Sequence, residues 1–262
     1  MKNSASITFI GSGNLAWHLA PAFDNTDFAV REVFSRNKKN AAELVSKLYQ
    51  AEVKESLDFS GSSSKIFILA ISDDIIEEIV AQIILPDESV LIHTSGSKPL
   101  SILRDSSTSN IGVLYPLQTF TKGKKIDLKE IPFFVEGENK ETEQILLDMA
   151  TTVSTKVHLL SSDKRSMLHL SAVFASNFTN HMLSIAETIM VQNKMDYDWL
   201  KPLIAETINK SLVIGPSKAQ TGPARREDLE ILDQHMEYLK KDESVQEIYR
   251  VISQHILDKY QS

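Results

Sequence analysis

The sequence is 262 residues long and contains no cysteine. This absence excludes structural disulfides, cysteine nucleophiles and cysteine-ligated metal centres, and it suits a reducing compartment, so we expect a cytoplasmic protein. With 28 Lys and Arg against 35 Asp and Glu, the formal net charge is −7, and no nucleic-acid partner is expected. No apolar run approaches the roughly 18 residues that a membrane span needs, so we expect no membrane partner either.

The first part of the chain alternates between short apolar runs and helical patterns. We predict strands at 6–10, 28–35, 65–72, 89–94, 110–114 and 131–135, with helices at 14–23, 40–49, 74–84 and 140–153. The apolar run within 65–72 is typical of a strand that is buried on both faces, which indicates a parallel sheet. The alternation predicts an α/β fold with an N-terminal Rossmann-type doubly wound sheet.

Only helical periodicity follows residue 163, with helices predicted at 163–193, 197–215, 226–240 and 244–259. We therefore predict a sheet domain at 1–157 and an all-α domain at 158–262. The long helix is apolar on nearly all sides between Met167 and Phe178, which predicts burial on several sides. Such a helix has more apolar surface to bury than a domain of about 100 residues covers alone. We therefore predict a homodimer built on the helical domain, in which the helices of the partner cover the rest.

A glycine-rich turn follows the first predicted strand. It has the pattern G-x-G-x-x-A, formed by Gly11, Ser12, Gly13, Asn14, Leu15 and Ala16. In such turns the first glycine permits the tight bend, the second lets the backbone approach a pyrophosphate, and the following helix N-terminus binds the phosphates. Because the motif opens a strand–helix–strand series, it predicts dinucleotide binding by the 1–157 domain, a structural glycine turn being the alternative.

The end of the second predicted strand indicates which dinucleotide binds. NAD enzymes place Asp or Glu there for the ribose 2′-hydroxyl, whereas this chain has Ser35, Arg36 and Asn37. Arg36 can form charge-assisted hydrogen bonds to a 2′-phosphate, so we predict NADP as the cofactor. The alternative is that these residues only solvate an exposed loop. Ile71 and Ser72, at the carboxyl end of the 65–72 strand, complete the predicted cofactor site.

Polar side chains also follow the next two strands. His93 and Ser95 end the strand at 89–94 and offer donors near the nicotinamide, with Ser95 predicted to position the substrate. The alternative is that His93 orients loop carbonyls. The segment Tyr115-Pro116-Leu117-Gln118 ends the following strand and is expected to form another wall of the same cleft.

One polar stripe interrupts the long helix. Five residues fall within a wedge of about 100° on a regular helix: His169, Ser176, Asn177, Asn180 and Ser184. Buried polar groups need partners, so the stripe predicts either a lined cleft or a polar contact between domains or subunits, unless its members satisfy one another. We predict His169 as the general acid or base, since histidine titrates near neutrality, and Asn177 as a positioning donor.

These motifs, together with Gln220–Arg225, resemble the Rossmann-like oxidoreductases that carry a C-terminal helical domain of unknown function. That family is related to ketopantoate reductase, pyrroline-5-carboxylate reductase and the β-hydroxyacid dehydrogenases, and the resemblance covers nearly the whole chain. It implies that His169 stands where ketopantoate reductases have a catalytic lysine, and that Asn177 matches an asparagine two turns later. Since the lysine is absent, either the histidine transfers the proton or the chemistry has been lost.

The sequence therefore predicts an NADP-dependent oxidoreductase that transfers hydride to or from a small carbonyl, hydroxy or imino compound in a cleft between its domains. A non-catalytic NADP-binding redox sensor is the alternative, and the missing lysine favours it. Hydride exchange with a deazaflavin is a third hypothesis, drawn from related folds.

Overall fold

The computed structural model of the chain describes residues 5–260, which form two compact units, the first ending at Asn177 and the second beginning at Phe178. The sequence places the change at 157/158, shortly before the purely helical pattern that follows residue 163. The helix at 162–172 nevertheless belongs to the first unit, since its residue Arg165 is fully buried and bonds to Glu136 and to the carbonyl of Lys98.

One eight-stranded sheet forms the centre of the first unit. Its strands are β1 (Ser6–Ile10), β2 (Ala29–Phe34), β3 (Glu52–Lys54), β4 (Ile66–Leu69), β5 (Val90–His93), β6 (Asn110–Pro116), β7 (Phe133–Gly137) and β8 (Val157–Leu159). They lie in the order β3-β2-β1-β4-β5-β6-β7-β8. Strands β1 to β6 are parallel, whereas β7 runs antiparallel to β6 and parallel to β8. This confirms the predicted α/β fold with an N-terminal Rossmann-type sheet.

The helices of the first unit connect these strands. They are α1 (Asn14–Asp24), α2 (Lys38–Val45), α3 (Ile76–Gln82), α4 (Lys140–Thr151) and α5 (Ser162–Ala172), with short 3-10 turns at Asp73–Ile75 and Leu100–Leu103. Helix α4 begins with an N-cap at Asn139, whose side-chain oxygen accepts a hydrogen bond from the Thr142 amide at 2.8 Å. Such a cap stabilises a helix by about 1 kcal/mol.

Both faces of the sheet are covered by apolar packing. All residues of β4 and β5 are buried, as the uninterrupted apolar runs predict. Ile66 and Ile68 pack in one layer with residues of α1, α2 and α4, while Phe67 and Leu69 pack in the other layer with residues of α3. Each such buried side chain contributes about 1.5–3 kcal/mol of transfer free energy, so the central strands are a firm base for the turns that follow them.

The sheet differs from the sequence prediction at its edges. Strands β3 and β8 have three residues each and are partly exposed, so no apolar run marks them. The antiparallel direction of β7 was also not predicted. Its first four residues alternate between buried and half-buried, a pattern typical of a strand with one covered face.

The second unit is helical. It contains α6 (Thr179–Gln192), α7 (Lys201–Ile214), α8 (Pro216–Ala219), α9 (Leu229–Tyr238) and α10 (Glu243–Tyr260). Helix α5 continues into α6 through a π-helical segment at Val173–Phe178. Among residues 5–260, no helix combines the length and the apolar character that a membrane crossing requires.

The long helix is not buried within the single chain, so its predicted burial by a second copy stays a prediction. Met167 is 61 % exposed and Phe174 is 63 % exposed. Helices α6 and α7 contain no buried residue at all. The reason is that the chain's own elements cover only part of these helices, and their apolar side chains remain at the surface.

Candidate functional site

A cavity of about 410 Å³ lies beside the carboxyl ends of β1, β2 and β4, and we call it the glycine-turn cavity. All ten residues predicted to bind the cofactor line it: Gly11, Ser12, Gly13, Asn14, Leu15, Ser35, Arg36, Asn37, Ile71 and Ser72. Asn40 and Thr94 also line the cavity, although neither belongs to a segment that was predicted to bind the cofactor. No Asp or Glu is part of the lining that the described residues form.

Gly11 makes the turn at this cavity possible. Its φ is +114°, and a Cβ at this position would lie 2.1 Å from the carbonyl oxygen of Ala70. Its amide donates a hydrogen bond to the carbonyl of Phe34 at 2.8 Å. Only glycine combines this backbone conformation with such close contact to the neighbouring strand, which is the role that the motif predicts for it.

The N-terminus of α1 borders the same cavity. Gly13 is the N-cap residue, so no side chain caps the helix. No atom lies within 4 Å of the position that a Cβ of this residue would occupy. The first amides of a helix have no partner within the helix and carry a partial positive charge. An uncapped helix of 11 residues facing an open cavity is therefore a suitable site for a phosphate group.

Arg36 is exposed at the other end of the glycine-turn cavity. Within the described part of the chain it has no ion-pair or hydrogen-bond partner, whereas the neighbouring Lys38 pairs with Glu55 at 2.9 Å. The side-chain oxygen of Asn37 is used to cap α2, because it accepts the amide of Asn40 at 3.2 Å. A free guanidinium in a lining without carboxylates suits a 2′-phosphate, so these residues fit NADP.

The turn after β5 has a structural role. His93 is fully buried, and its Nδ1 accepts the amide of Ser95 at 3.1 Å. Burial, with a smaller contribution from the positive charge of Arg165, lowers the pKa of His93 to about 4, so this imidazole is neutral at physiological pH. His93 therefore holds the Ser95 amide of the turn, whereas the alternative drawn from the sequence was that it orients loop carbonyls.

Ser95 belongs to the same turn, and its role as a positioning donor stays a prediction. Its hydroxyl oxygen accepts the amides of Ser97 at 3.1 Å and Lys98 at 3.0 Å. Ser95 is 6 % exposed and lines neither the glycine-turn cavity nor the cavity beside His169 described next. A hydroxyl oxygen that accepts backbone amides in this way stabilises a local turn, while its O–H group can still donate.

A second cavity of about 620 Å³ lies beside β6 and α5, and we call it the His169 cavity. His169, Ser176 and Asn177 line it on the helical side, and Tyr115, Leu117 and Gln118 line it on the sheet side. The structure thus brings three of the five stripe residues together with the strand end that was expected to form a wall of the cleft. Asn180 and Ser184, which belong to the second unit, are not part of this lining.

Two residues of this region have contacts that the sequence did not predict: Tyr115, which was expected only as part of the cleft wall, and Arg165, which was not singled out. The Tyr115 hydroxyl lies 3.0 Å from Nδ1 of His169. Arg165, one helical turn before His169, is fully buried in an ion pair with Glu136, and it donates to the carbonyl of Lys98 at 2.6 Å. The sequence signal for Arg165 was its i, i+4 spacing to His169, which places both on one face of the helix.

Other sites are weaker candidates. Thr221, Gly222 and Pro223, which lie within the Gln220–Arg225 motif, line a cavity of about 360 Å³ in the second unit, most of whose other lining residues are apolar. Within the range that the structure describes, no cluster of three or more His, Asp or Glu side chains could hold a metal ion.

Comparison with protein families gives two matches. Residues 6–96 match the family described as NADP oxidoreductase, coenzyme F420-dependent, and residues 131–256 match DUF2520, a domain of unknown function. The comparison with curated proteins found no match.

Three solved structures illustrate the likeness over the whole chain. The provisionally named NADP oxidoreductase BF3122 from Bacteroides fragilis is 35 % identical, with coverage of 97 % of this chain and 98 % of that chain and a TM-score of 0.87. A reductive aminase from Aspergillus terreus, in complex with NADPH and ethyl levulinate, is 13 % identical, with coverage of 97 % and 93 % and a TM-score of 0.73. The 1-pyrroline-5-carboxylate reductase from Streptococcus pyogenes is 12 % identical, with coverage of 99 % of each chain and a TM-score of 0.62. The last two share the fold.

Proposed function

Because the chain belongs to the family that joins an NADP oxidoreductase domain to a DUF2520 domain, we propose that it transfers hydride between NADP and a small carbonyl, hydroxy or imino compound. The observation that carries the proposal is the glycine-turn cavity, in which an uncapped helix N-terminus and the free guanidinium of Arg36 occur with no carboxylate in the lining. This combination suits a dinucleotide with a 2′-phosphate.

The proposed cofactor contacts follow from the lining. The turn from Gly11 to Leu15 would hold the pyrophosphate. The 2′-phosphate would be bound by Ser35, Arg36 and Asn37. The part of the dinucleotide that lies beyond β4 would contact Ile71 and Ser72. When bound, NADPH supplies a hydride, and the protein must supply orientation and a proton.

We assign the proton to His169. It lines the His169 cavity together with Asn177, an exposed amide that can donate to a substrate oxygen or nitrogen. General acid–base catalysis by a placed histidine contributes about 10²–10⁴ in rate. Ser95 stays a predicted positioning donor, because its O–H group can still donate although its oxygen accepts two amides of the turn.

The test is NADPH binding by calorimetry, followed by NADPH oxidation with 1-pyrroline-5-carboxylate and with ethyl levulinate in the presence of an amine. His169→Ala should lower turnover by about 10²–10⁴ while leaving NADPH affinity and melting temperature nearly unchanged. His255→Ala, at an exposed position on α10, is the control and should keep full activity. A chain that binds NADPH but turns over none of these probes would favour the redox-sensor alternative.

A second candidate is hydride exchange with a deazaflavin. The description of the matched family, coenzyme F420-dependent, favours it. Reduction of a deazaflavin by NADPH in the presence of the chain, measured by absorbance, would support this candidate, and turnover of the imine or carbonyl probes alone would argue against it.

We also propose a cytoplasmic homodimer. The chain has no cysteine, as suits a reducing compartment, and its long helix exposes apolar residues, including Met167, Phe174 and Leu170, that a second copy would cover. Light scattering at micromolar concentration should give about twice the chain mass of 29.4 kDa. A mass of one chain would contradict the dimer.

A further inference from the structure

Tyr115 and His169 form one hydrogen-bonded pair in the His169 cavity. The Tyr115 oxygen lies 3.0 Å from Nδ1 of His169, and the two rings meet edge to face, with centroids 5.9 Å apart. Both residues line the cavity, although Tyr115 is only 9 % exposed. A substrate atom in this cavity would therefore meet a phenol and an imidazole that already share a hydrogen bond.

Gly96 holds the turn after β5 directly against this pair. A Cβ at Gly96 would lie 2.6 Å from Nδ1 of His169 and 2.7 Å from Cζ of Tyr115. Real Cβ atoms do not approach other atoms this closely, so any other residue would displace one of the two rings. The close packing of this turn against the two rings therefore requires glycine at position 96.

The chemistry of the two groups determines which one donates. In the neutral pair the phenol is the more acidic donor, so its O–H donates to Nδ1 and the ring proton stays on Nε2. Burial raises the pKa of Tyr115, an effect that the charge of Asp73 reinforces and that of Arg165 opposes. The phenol therefore remains protonated at physiological pH and is available as a donor.

We propose that Tyr115 is a catalytic residue which exchanges the proton with the substrate, and that His169 stores this proton on Nδ1. The proposal rests on the proposed function and deepens it, because His169 remains the proton carrier but acts through the phenol.

The step balances in the direction of reduction. The substrate takes a hydride from the dihydronicotinamide at its carbon, and the electron pair freed on its oxygen or nitrogen takes the proton of the Tyr115 hydroxyl. The Nδ1–H bond of the His169 imidazolium breaks, and that proton restores the hydroxyl. Tyr115 ends as a neutral phenol and His169 as a neutral imidazole. In oxidation every transfer runs in reverse.

Nitrogen NMR of the full chain, with ¹⁵N-labelled histidine and no ligand, tests the pair. For the neutral form of His169, the expected result is a proton on Nε2 and a hydrogen-bonded Nδ1. In Tyr115→Phe the Nδ1 resonance of the neutral form should move toward that of an unbonded nitrogen. His169→Asn assigns the signal, and Tyr238→Phe, at a tyrosine that is 78 % exposed, is the control. A neutral form protonated on Nδ1, or an unchanged Nδ1 resonance in Tyr115→Phe, would overturn the proposal.

Turnover separates this proposal from the proposed function. Tyr115→Phe and His169→Ala should each slow a reactive probe by about 10²–10⁴, and the double variant should be no slower than either one. If the wild type is active and Tyr115→Phe loses less than about tenfold, the role of Tyr115 is wrong and the NADP assignment stands. If the wild type is inactive with every probe, the proposed function fails, and the proton step on Tyr115 fails with it. The melting temperature of Tyr115→Phe should stay close to that of the wild type, because the hydroxyl bonds only to His169 within the described residues.

Discussion

The fully buried guanidinium of Arg165 in α5 forms an ion pair with the carboxylate of Glu136 in β7, whose side chain is 19 % exposed. The same carboxylate accepts the amide of Ser162 at 2.9 Å and its hydroxyl at 2.7 Å. Arg165 also donates to the carbonyl of Lys98 in the turn after β5 at 2.6 Å. The first turn of α5 is therefore fixed both to the sheet and to the turn that contacts His169, one helical turn further along.

Removal of this arginine should destabilise the protein strongly. Arg165→Met leaves the carboxylate of Glu136 without its partner in a largely buried place, which costs about 3–5 kcal/mol. Urea unfolding measures the change in the free energy of unfolding. Arg250→Met, which breaks an exposed pair with Glu247 of 2.6 Å, is the control and should change stability far less, because solvent screens an exposed pair. Equal effects of the two substitutions would contradict the structural role of Arg165.

The preference for NADPH over NADH should depend on Arg36. A charge-assisted contact to a 2′-phosphate is worth about 1.5–3 kcal/mol, so we expect at least tenfold tighter binding of NADPH in calorimetry. Arg36→Asp should abolish or reverse the preference. Arg31→Asp, at a position outside the glycine-turn cavity, should keep it. Equal affinities in the unchanged chain would show that the Ser35–Asn37 turn does not bind a phosphate.

The buried His93 should make stability depend on pH. Its pKa is about 4 in the folded chain and 6.5 in the reference state, so the unfolded chain takes up the proton first as the pH falls. The full contribution is present above pH 6.5, and it is lost as the pH falls toward 4. Between pH 7 and pH 5 this amounts to about 2 kcal/mol.

His93→Asn provides the comparison, because an amide oxygen can still accept the Ser95 amide but does not titrate in this range. Chemical unfolding at both pH values should show that the wild type loses about 2 kcal/mol more than the variant. The same pH dependence in both proteins would mean that His93 is not the group responsible.

Gly96→Ala should disturb the pair of Tyr115 and His169. The new methyl group would overlap both rings, and such overpacking costs about 1–3 kcal/mol in the free energy of unfolding. Gly61→Ala is the matched control, because no atom lies within 4 Å of the position of its Cβ, and it should leave stability nearly unchanged. If Gly96→Ala behaves like the control and leaves the His169 resonance in place, the close contact is not present in solution.

The residues predicted to bind the cofactor line one cavity, because they follow a local motif whose spacing determines the backbone. Gly11 and Arg36 each belong to a short segment at the end of one strand, and parallel strands bring these ends together. The contact of Tyr115 with His169 spans 54 positions of the chain, and it depends on how α5 packs beside the sheet. No local pattern encodes that packing, and none shows that the hydroxyl of Ser95 is used by the backbone.

The eight-stranded sheet ends on both sides in a strand of only three residues, β3 and β8. An edge strand exposes unpaired amide and carbonyl groups to which a strand of another molecule can add, and a longer edge gives such a strand more bonds. The first edge also has charged side chains at Glu52 and Lys54. Chains at high concentration therefore gain little by joining edge to edge, so the sheet resists growth into aggregates.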